Sequence, residues 1–453
     1  MSQAYDVVIA GGGLSGVLSA CKILSSLPNA RILILEKEKF SGGRLRTTDR
    51  EQGKWSFGVN ALTPKLVKYA EETIKEVFPE FDLEQYNPLT MNRFGQLSGS
   101  NLSEFSNEDA LAPAGAKSMG GRNAGKEFSE IEELFEKVES ENFSDDRLIK
   151  LLKLKRKGPG GVVLEQQAIS FGIPDVWNAG AELLKSKADT YRSGLVKARW
   201  DDACSDVFDS LNGKENVTFH DSCHIISAAK EDGIFKLKTE KGLFEASALV
   251  VAQNPWAAHR WLDRELIPVP ILNLILKSKP VSLVTLSCVK KSEEEMPDMT
   301  IVSAEKAQVI SYENSVTFQA TIDYELSLAA LEVVKAVKRL RRARKRIDQF
   351  FEKTELEGEF VALLPCAWPL PSGVSDRKLV DKLSTDAICG QGIQFCGDSY
   401  GRDLEGDNNI MTSVKHATLS AISAIENKGL LHDTDHRRHE TIESNQRENQ
   451  IGS

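Results

Sequence analysis

The chain has 453 residues, about three times the length of a typical ~150-residue domain, so two domains or one large composite are expected. Its 66 acidic and 57 basic residues leave a formal charge of −9, which excludes a broadly basic nucleic-acid binder. Seven cysteines without a C-x-x-C spacing read as reduced thiols, and no apolar run approaches the ~18 residues of a membrane helix. Tyr5 to Ala10 lacks the charged-then-apolar layout of a signal peptide, so a soluble cytoplasmic protein is the expectation.

Asp6 to Ala10 is an apolar run of strand length. Gly11-Gly12-Gly13-Leu14-Ser15-Gly16 follows, and then Val17, Leu18, Cys21, Ile23 and Leu24 recur at helical spacing. A second apolar run, Ile32 to Leu35, ends at Glu36. Strand, Gly-rich turn, helix and strand within ~30 residues predict a βαβ unit with a parallel sheet. A diphosphate approaches a helix N-terminus closely only where side chains are absent, and the N–H groups and dipole there favour its charge. Gly11, Gly13 and Gly16, with Leu14 and Ser15 between them, fit that geometry. Glu36, with Lys37 beside it, ends the second strand where a carboxylate can accept both hydroxyls of an adenosine ribose and disfavours a 2′-phosphate. The bland alternative is a Gly-rich turn with no ligand.

The next segment is Phe40-Ser41-Gly42-Gly43-Arg44-Leu45-Arg46-Thr47. Two glycines let the backbone pass near the phosphates, and Arg44 offers a planar fork of donors to them. Here the sequence resembles the flavin-containing amine oxidase superfamily, whose G-G-R-x-x-T segment is matched by Gly42 to Thr47. An Asp-x-Gly pair follows in that family; Ser56-Phe57-Gly58 keeps Gly58 and replaces the acid. The resemblance implies FAD as cofactor, in preference to NAD.

Residues 95–125 are rich in Gly, Ser, Asn and Ala and read as a loop or excursion, and Glu127 to Asp146 as an acidic surface helix. Ser193 to Val196 resembles the family's Gly that starts a helix leading to the adenine strand. Val217–His220, Cys223–Ile226, Phe235–Lys238 and Ala248–Val251 read as strands of a meander returning to a central strand. The resemblance puts Ile225 or His224 near the adenine, and likens Ala248 to Pro255 to the strand that re-enters the central sheet. His220 and His224, four apart on one predicted strand, would share a face, but no third ligand is evident and no metal is expected. Ser282–Val289 is a further strand, and Glu325–Phe351 one helical pattern with room for a single break. Within it, Lys335 to Arg346 holds eight basic residues in twelve. That density is usually a solvated face, with an anionic partner or membrane surface as the alternative.

Near the C-terminus, Gly392 to Asp398 is a strand ending in Gly-Asp. After a loop, Asp407 can cap a helix whose Ile410, Val414, Ala417, Ala421 and Ile425 form one apolar stripe. In the resembled family this strand holds the ribityl and phosphate region and the helix faces the flavin ring, a role the resemblance assigns to Gly397, Asp398, Asn408 and Asn409.

The expected fold class is α/β. A discontinuous Rossmann-like FAD-binding domain (1–75, 190–257, 385–430) is joined to an α+β substrate domain (76–189, 258–384), with a disordered tail over 431–453. Asn60, Trp256, Trp368 and Tyr400 are candidates for the substrate pocket. The expected reaction is two-electron oxidation of a small organic or apolar substrate, with hydride passing to flavin N5 and then to oxygen or another acceptor. No catalytic acid or base stands out. The partners expected are a small-molecule substrate and an electron acceptor, without nucleic acid or membrane contact. The alternatives are a renalase-like NAD(P)H oxidase, an amine oxidase, and a flavin-binding protein without turnover. Against the amine reading, Asp407 falls where amine oxidases supply an aromatic ring, and Leu283 and Val284 occupy the strand expected to supply their lysine.

Overall fold

Two seven-stranded sheets carry the chain. The computed structural model describes residues 3–39, 41–45, 47–50, 53–56, 61–98, 101–106, 130, 133, 195–277, 279–291, 295–312, 314–351, 354–370, 393–397, 411 and 413–426. The first run of elements is β1 (Gln3–Ala10), α1 (Leu14–Ser26), β2 (Ile32–Leu35), the hairpin β3–β4 (Thr47–Arg50, Gly53–Ser56), β5 (Ala61–Leu62), α2 (Pro64–Lys75) and β6 (Leu89–Met91). A second hairpin follows, β7 (Arg93–Ser98) with β8 (Asn101–Ser106). From residue 195 come β9 (Leu195–Lys197), α3 (Trp200–Asn212), β10 (Val217–His220), β11 (Ile225–Glu231), β12 (Ile234–Thr239), β13 (Gly242–Val251), α4 (Pro255–Ala258) and α5 (Val269–Lys277). The remainder is β14 (Lys279–Lys290), β15 (Met299–Val302), β16 (Ala307–Ser311), β17 (Ser315–Asp323), α6 (Tyr324–Ser327), α7 (Ala330–Phe350), β18 (Leu356–Leu370), β19 (Ile393–Phe395) and a C-terminal helix over 413–426.

The first sheet has a parallel layer in the order β10-β2-β1-β13-β19. β13 shares its outer edge: residues 242–246 pair antiparallel with β12, and 249–251 pair with β19. Strands buried on both faces should be apolar throughout rather than alternating. Val7–Ala10, Ile32–Leu35 and Ala248–Val251 are apolar and buried throughout. Along them the side chains divide with period two. Val7, Ile9, Ile32, Ile34, Ala248 and Val250 join α1, α2 and α3, while Val8, Ala10, Leu33, Leu35, Leu249 and Val251 join β11, β12 and Trp261. Each such Val, Leu or Ile contributes roughly 1.5–3 kcal/mol of burial. The α1 helix stops at Leu27, the residue before Pro28, whose ring disfavours helical geometry there.

The second sheet runs β18-β14-β17-β16-β15-β7-β8 and is antiparallel except between β15 and β7. Ala336, Leu340, Ala343 and Ile347 form the i, i+4, i+7, i+11 stripe of α7 and are fully buried with Val284, Leu286, Val316 and Phe318. A three-stranded sheet, β5-β9-β6, stands beside this one. At the end of β9, Lys197 Nζ donates to the Ser311 carbonyl (2.6 Å) and to Asp298 Oδ1 (3.2 Å). The other Asp298 oxygen accepts the Asn92 and Arg93 N–H groups. This nearly buried ion pair ties the small sheet to the second sheet.

Several expectations change. Residues 93–106 form a hairpin inside the second sheet, not an excursion, because β7 finds its partner in β15 about two hundred residues away; long-range pairing overrides a loop-like composition. Gly95 is part of the reason, since a Cβ there would meet Pro297 Cγ at 3.0 Å and Thr300 Oγ1 at 3.2 Å. β10 lies outside the meander, pairing in parallel with β2. Ser222 (φ 44°) turns the chain before β11, so His220 ends one strand and His224 precedes another, and the two do not share a strand face. The long helical pattern breaks at Leu328 and Ala329, between α6 and α7. The acidic segment 127–146, except residues 130 and 133, and the tail over 431–453 lie outside the described residues.

Candidate cofactor-binding site

Ligands of open parallel sheets bind beyond the C-terminal strand ends, where neighbouring connections leave in opposite directions. β1 is that strand, with β2 on one side and β13 on the other. Its end opens into Gly11, held at φ +122° with its N–H donating to the Leu35 carbonyl at 2.8 Å. A Cβ on Gly11 would lie 2.6 Å from the Ala252 carbonyl oxygen, and one on Gly16 only 2.1 Å from the Gly11 carbonyl oxygen. These two glycines are needed by the chain itself.

Gly13 differs. Its φ is −88°, and a Cβ there would meet nothing closer than Gly43 Cα at 3.6 Å. Gly13 begins α1, which has no side-chain cap and no acid in its first turn, so the positive end of the helix is undiminished. The segment after Glu36 returns to this point, where the Gly42 N–H donates to the Gly12 carbonyl (2.8 Å) and Gly42 bridges Gly13. Gly42 (φ +98°) and Gly43 (φ +62°) make the turn, and half-buried Arg44 follows directly. Backbone thus stacks on backbone beside an uncapped helix end.

The Glu36 carboxylate is buried beside it. Oε2 accepts the Gly12 N–H at 2.7 Å and Oε1 the Glu38 N–H at 2.9 Å. A carboxylate has about four lone-pair directions, so these bonds leave acceptor capacity for ribose hydroxyls. Its main chain is clamped as well: the Glu36 N–H donates to the His220 carbonyl and the Cys223 N–H to the Glu36 carbonyl, both at 2.8 Å. Ile225, two residues further on, is buried in one cluster with Ala10 and Leu35. Lys37 points to solvent and faces Glu38 at 3.4 Å.

The third segment arrives from β19. The Cys396 N–H donates to the Val251 carbonyl at 2.9 Å, and its thiol lies 3.5 Å from the Ser19 hydroxyl of α1. Burial pushes that thiol up to about 12. At Gly397 (φ +134°) the N–H donates to Ser413 Oγ at 2.9 Å, and the Ser413 hydroxyl is 3.0 Å from the Gly397 carbonyl. The start of the C-terminal helix is thereby fixed to the end of β19.

The structure thus brings Gly11, Gly13, Leu14, Ser15, Gly16, Glu36, Gly42, Gly43, Arg44 and Gly397 to the C-terminal edge of one parallel layer, with Ile225 beside it. Trp256 is buried in α4, just after Gln253, whose Cγ would lie 3.3 Å from a Cβ on Gly11. The Trp368 backbone pairs with Val281 in the second sheet. Gly58, Asn60, Asp398, Tyr400, Asp407, Asn408 and Asn409 lie outside the described residues. Gly12 and Ser413 were not singled out by sequence. Gly12 could have been, because a third consecutive glycine is more than the motif needs; here a Cβ would sit 3.0 Å from Glu36 Cβ. Ser413 carries no local signal.

No family model matches the sequence. Over 78 residues the chain is 33% identical to an uncharacterized protein, R188, of Acanthamoeba polyphaga mimivirus, a match spanning 17% of this chain and 13% of that protein. Solved structures show far broader likeness. Cyclohexylamine oxidase from Brevibacterium oxydans IH-35A superposes with a TM-score of 0.67 at 12% identity, covering 94% of this chain and 99% of that one. The fold is the one seen in this oxidase. The same architecture is shared with putrescine oxidase (TM-score 0.64, 12% identity, 94% of this chain and 100% of that one). It is shared too with a candidate protoporphyrinogen oxidase from Exiguobacterium sp. 255-15 (TM-score 0.62, 13% identity, 95% and 99%). No described helix is long and apolar enough to cross a membrane.

Proposed function

We propose that the chain binds FAD along the C-terminal edge of the parallel layer and acts as an FAD-dependent oxidoreductase on a small organic or apolar substrate. The observation that carries this reading is Gly13, a glycine of ordinary φ whose Cβ would make only ordinary contact with the Gly42–Gly43 backbone, placed where a diphosphate would meet the uncapped end of α1. In this reading the α1 N–H groups and helix dipole hold the diphosphate, and Arg44 adds donors. Glu36 takes the adenosine ribose hydroxyls and repels a 2′-phosphate, while Ile225 lies toward the adenine. Gly397 and the helix tied to it by Ser413 close the other end. FAD, when bound, supplies the two-electron redox chemistry that protein side chains lack. The chain's task is to orient it and to present it to the substrate.

The names of cyclohexylamine oxidase and putrescine oxidase support an oxidase with oxygen as acceptor. Amines themselves are a poor first choice of donor, because Leu283 and Val284 are buried and apolar on the strand where a lysine is expected. A second reading, flavin binding without turnover, is favoured by Ser56, which ends β4 where the resembled family carries an acid. An anaerobic screen of electron donors separates these readings. Bleaching of the bound flavin by a neutral organic donor supports the oxidoreductase, and bleaching by NADH alone supports NAD(P)H oxidation. Yellow protein that no donor bleaches leaves the non-catalytic reading. Fast bleaching by simple amines, at about 1 s⁻¹ or more, restores amine oxidase.

A further inference from the structure

Helix α7 concentrates charge against the sign of the chain. Residues 324–350 hold eight basic and three acidic side chains in a protein of formal charge −9. With Ala336, Leu340, Ala343 and Ile347 turned to the sheet, helical geometry places Leu331, Lys338, Arg342, Lys345 and Gln349 along the outward stripe, which has no carboxylate. Part of the charge is spoken for: Arg346 and Arg342 face the buried Glu305 at 2.9 and 3.9 Å, and Arg341 pairs with Glu359 at 3.0 Å. Lys338 and Lys345 are exposed and make no ion pair with described residues. Arg339 is pushed down chiefly by burial and also by Arg342, with Glu332 opposing the shift.

By sequence this run reads as a solvated face, and the structure adds an apolar patch beside it. Leu326, Leu328, Leu331 and Val334 cover the turn between α6 and α7 and are 46–70% exposed. Leu363 and Val361 of β18 are also exposed, and their register with Val284 and Leu286 places them on the face of the sheet that α7 covers. Contacts of Arg344 with the Leu356 and Gly358 carbonyls lay the C-terminal half of α7 over the start of β18. The N-terminal half, with its leucines, therefore runs toward Val361 and Leu363. Six apolar side chains at one end of a basic, carboxylate-free stripe form an amphipathic surface of two parts. Solvent alone would not favour the leucines, and a nucleic acid or acidic peptide would use only the cations.

We propose that the α6–α7 face docks on an anionic phospholipid surface, with the leucines entering the headgroup boundary and the Lys and Arg stripe meeting lipid phosphates and carboxylates. One weak signal gives marginal attachment, whereas apolar insertion and a polybasic patch together give stable peripheral binding. The test is sedimentation of the full chain with vesicles of phosphatidylcholine alone or with about 30% phosphatidylserine, at low and at high salt. The expected result is binding to the anionic vesicles only, weakened by salt. Lys338→Gln and Lys345→Gln should each lower the partition coefficient about fivefold. The pair Leu328→Ser and Leu331→Ser should lower it too, without altering the thermal midpoint. Absence of binding to anionic vesicles at low salt overturns the proposal, as does equal binding to phosphatidylcholine alone. Binding that the leucine variants leave unchanged, with equal retention on heparin, overturns it in favour of a soluble polyanion. Flavin content plays no part in these readouts, so failure here leaves the cofactor reading untouched.

Discussion

A methyl group added at Gly16 would be driven to 2.1 Å from the Gly11 carbonyl oxygen, whereas at Gly13 it would meet nothing closer than 3.6 Å. The two positions therefore separate folding from binding. Gly13→Ala should stay folded, with an unchanged circular dichroism spectrum, and hold FAD more weakly because the methyl group crowds the diphosphate position; an unchanged FAD affinity in the folded variant would contradict the assignment. Gly16→Ala should lose the folded protein itself. Glu36 has a double duty, since its carboxylate also holds the Gly12 and Glu38 N–H groups. Charged hydrogen bonds of this kind are worth roughly 1.5–3 kcal/mol each. Glu36→Ala should thus weaken FAD by about one to two decades and lower the thermal midpoint as well, while Glu36→Gln, which keeps an acceptor, should affect stability less. Titration of each variant with FAD, beside a melting curve, separates the two losses. Cys21, Cys204 and Cys396 are each pushed from 9.0 up to about 12, chiefly by burial. Below pH 9 these thiols are protonated in both states and their stabilising contribution is complete. Between pH 9 and 12 only the unfolded chain releases the protons, so stability should fall across that window. A thermal midpoint flat from pH 8.5 to 11 would contradict the buried placement.

At the scale of elements, the βαβ unit was legible because β1, α1 and β2 obey their own periods and are joined by a turn chemistry few other structures need. The α7 helix was legible as well, though the sequence left only room for a break and did not place it at Leu328 and Ala329. The β7–β8 hairpin was not, because its reason to be a strand lies in β15 and in the close approach at Gly95, neither of which is local. The same holds for His220 and His224, separated by a positive φ at Ser222 that no pattern announced. The link between the small sheet and the second sheet was also invisible, since a lysine at 197 and an aspartate at 298 have no sequence relation. Asp298 accepts from Lys197 and from two backbone N–H groups. Removing it leaves a largely buried ammonium without its counter-charge, a class of change that typically costs about 3–5 kcal/mol. Asp298→Ala should lower the denaturation midpoint accordingly, and Lys197→Met, which removes the charge with its partner still bonded to the backbone, should cost less. Equal and small losses would mean that the pair is not a junction.

For the whole molecule, the half of the architecture proposed to hold FAD was legible in the sequence, and little of the half that would choose a substrate. The phosphates and ribose of FAD are the same whichever protein binds it, so glycines and one carboxylate at fixed spacing are a signal a sequence can carry. A substrate sheet is only required to be a sheet, and its polar and apolar positions answer to a molecule the sequence does not contain. The central claim is FAD binding, and it can be read directly from the full chain. The purified protein should be yellow, heat should release FAD in stoichiometric amount, and added FAD at a hundredfold excess over its Kd should stabilise the flavin-free form by about 2.7 kcal/mol. A colourless protein whose melting curve is unmoved by FAD, or is moved instead by NADP, would contradict it.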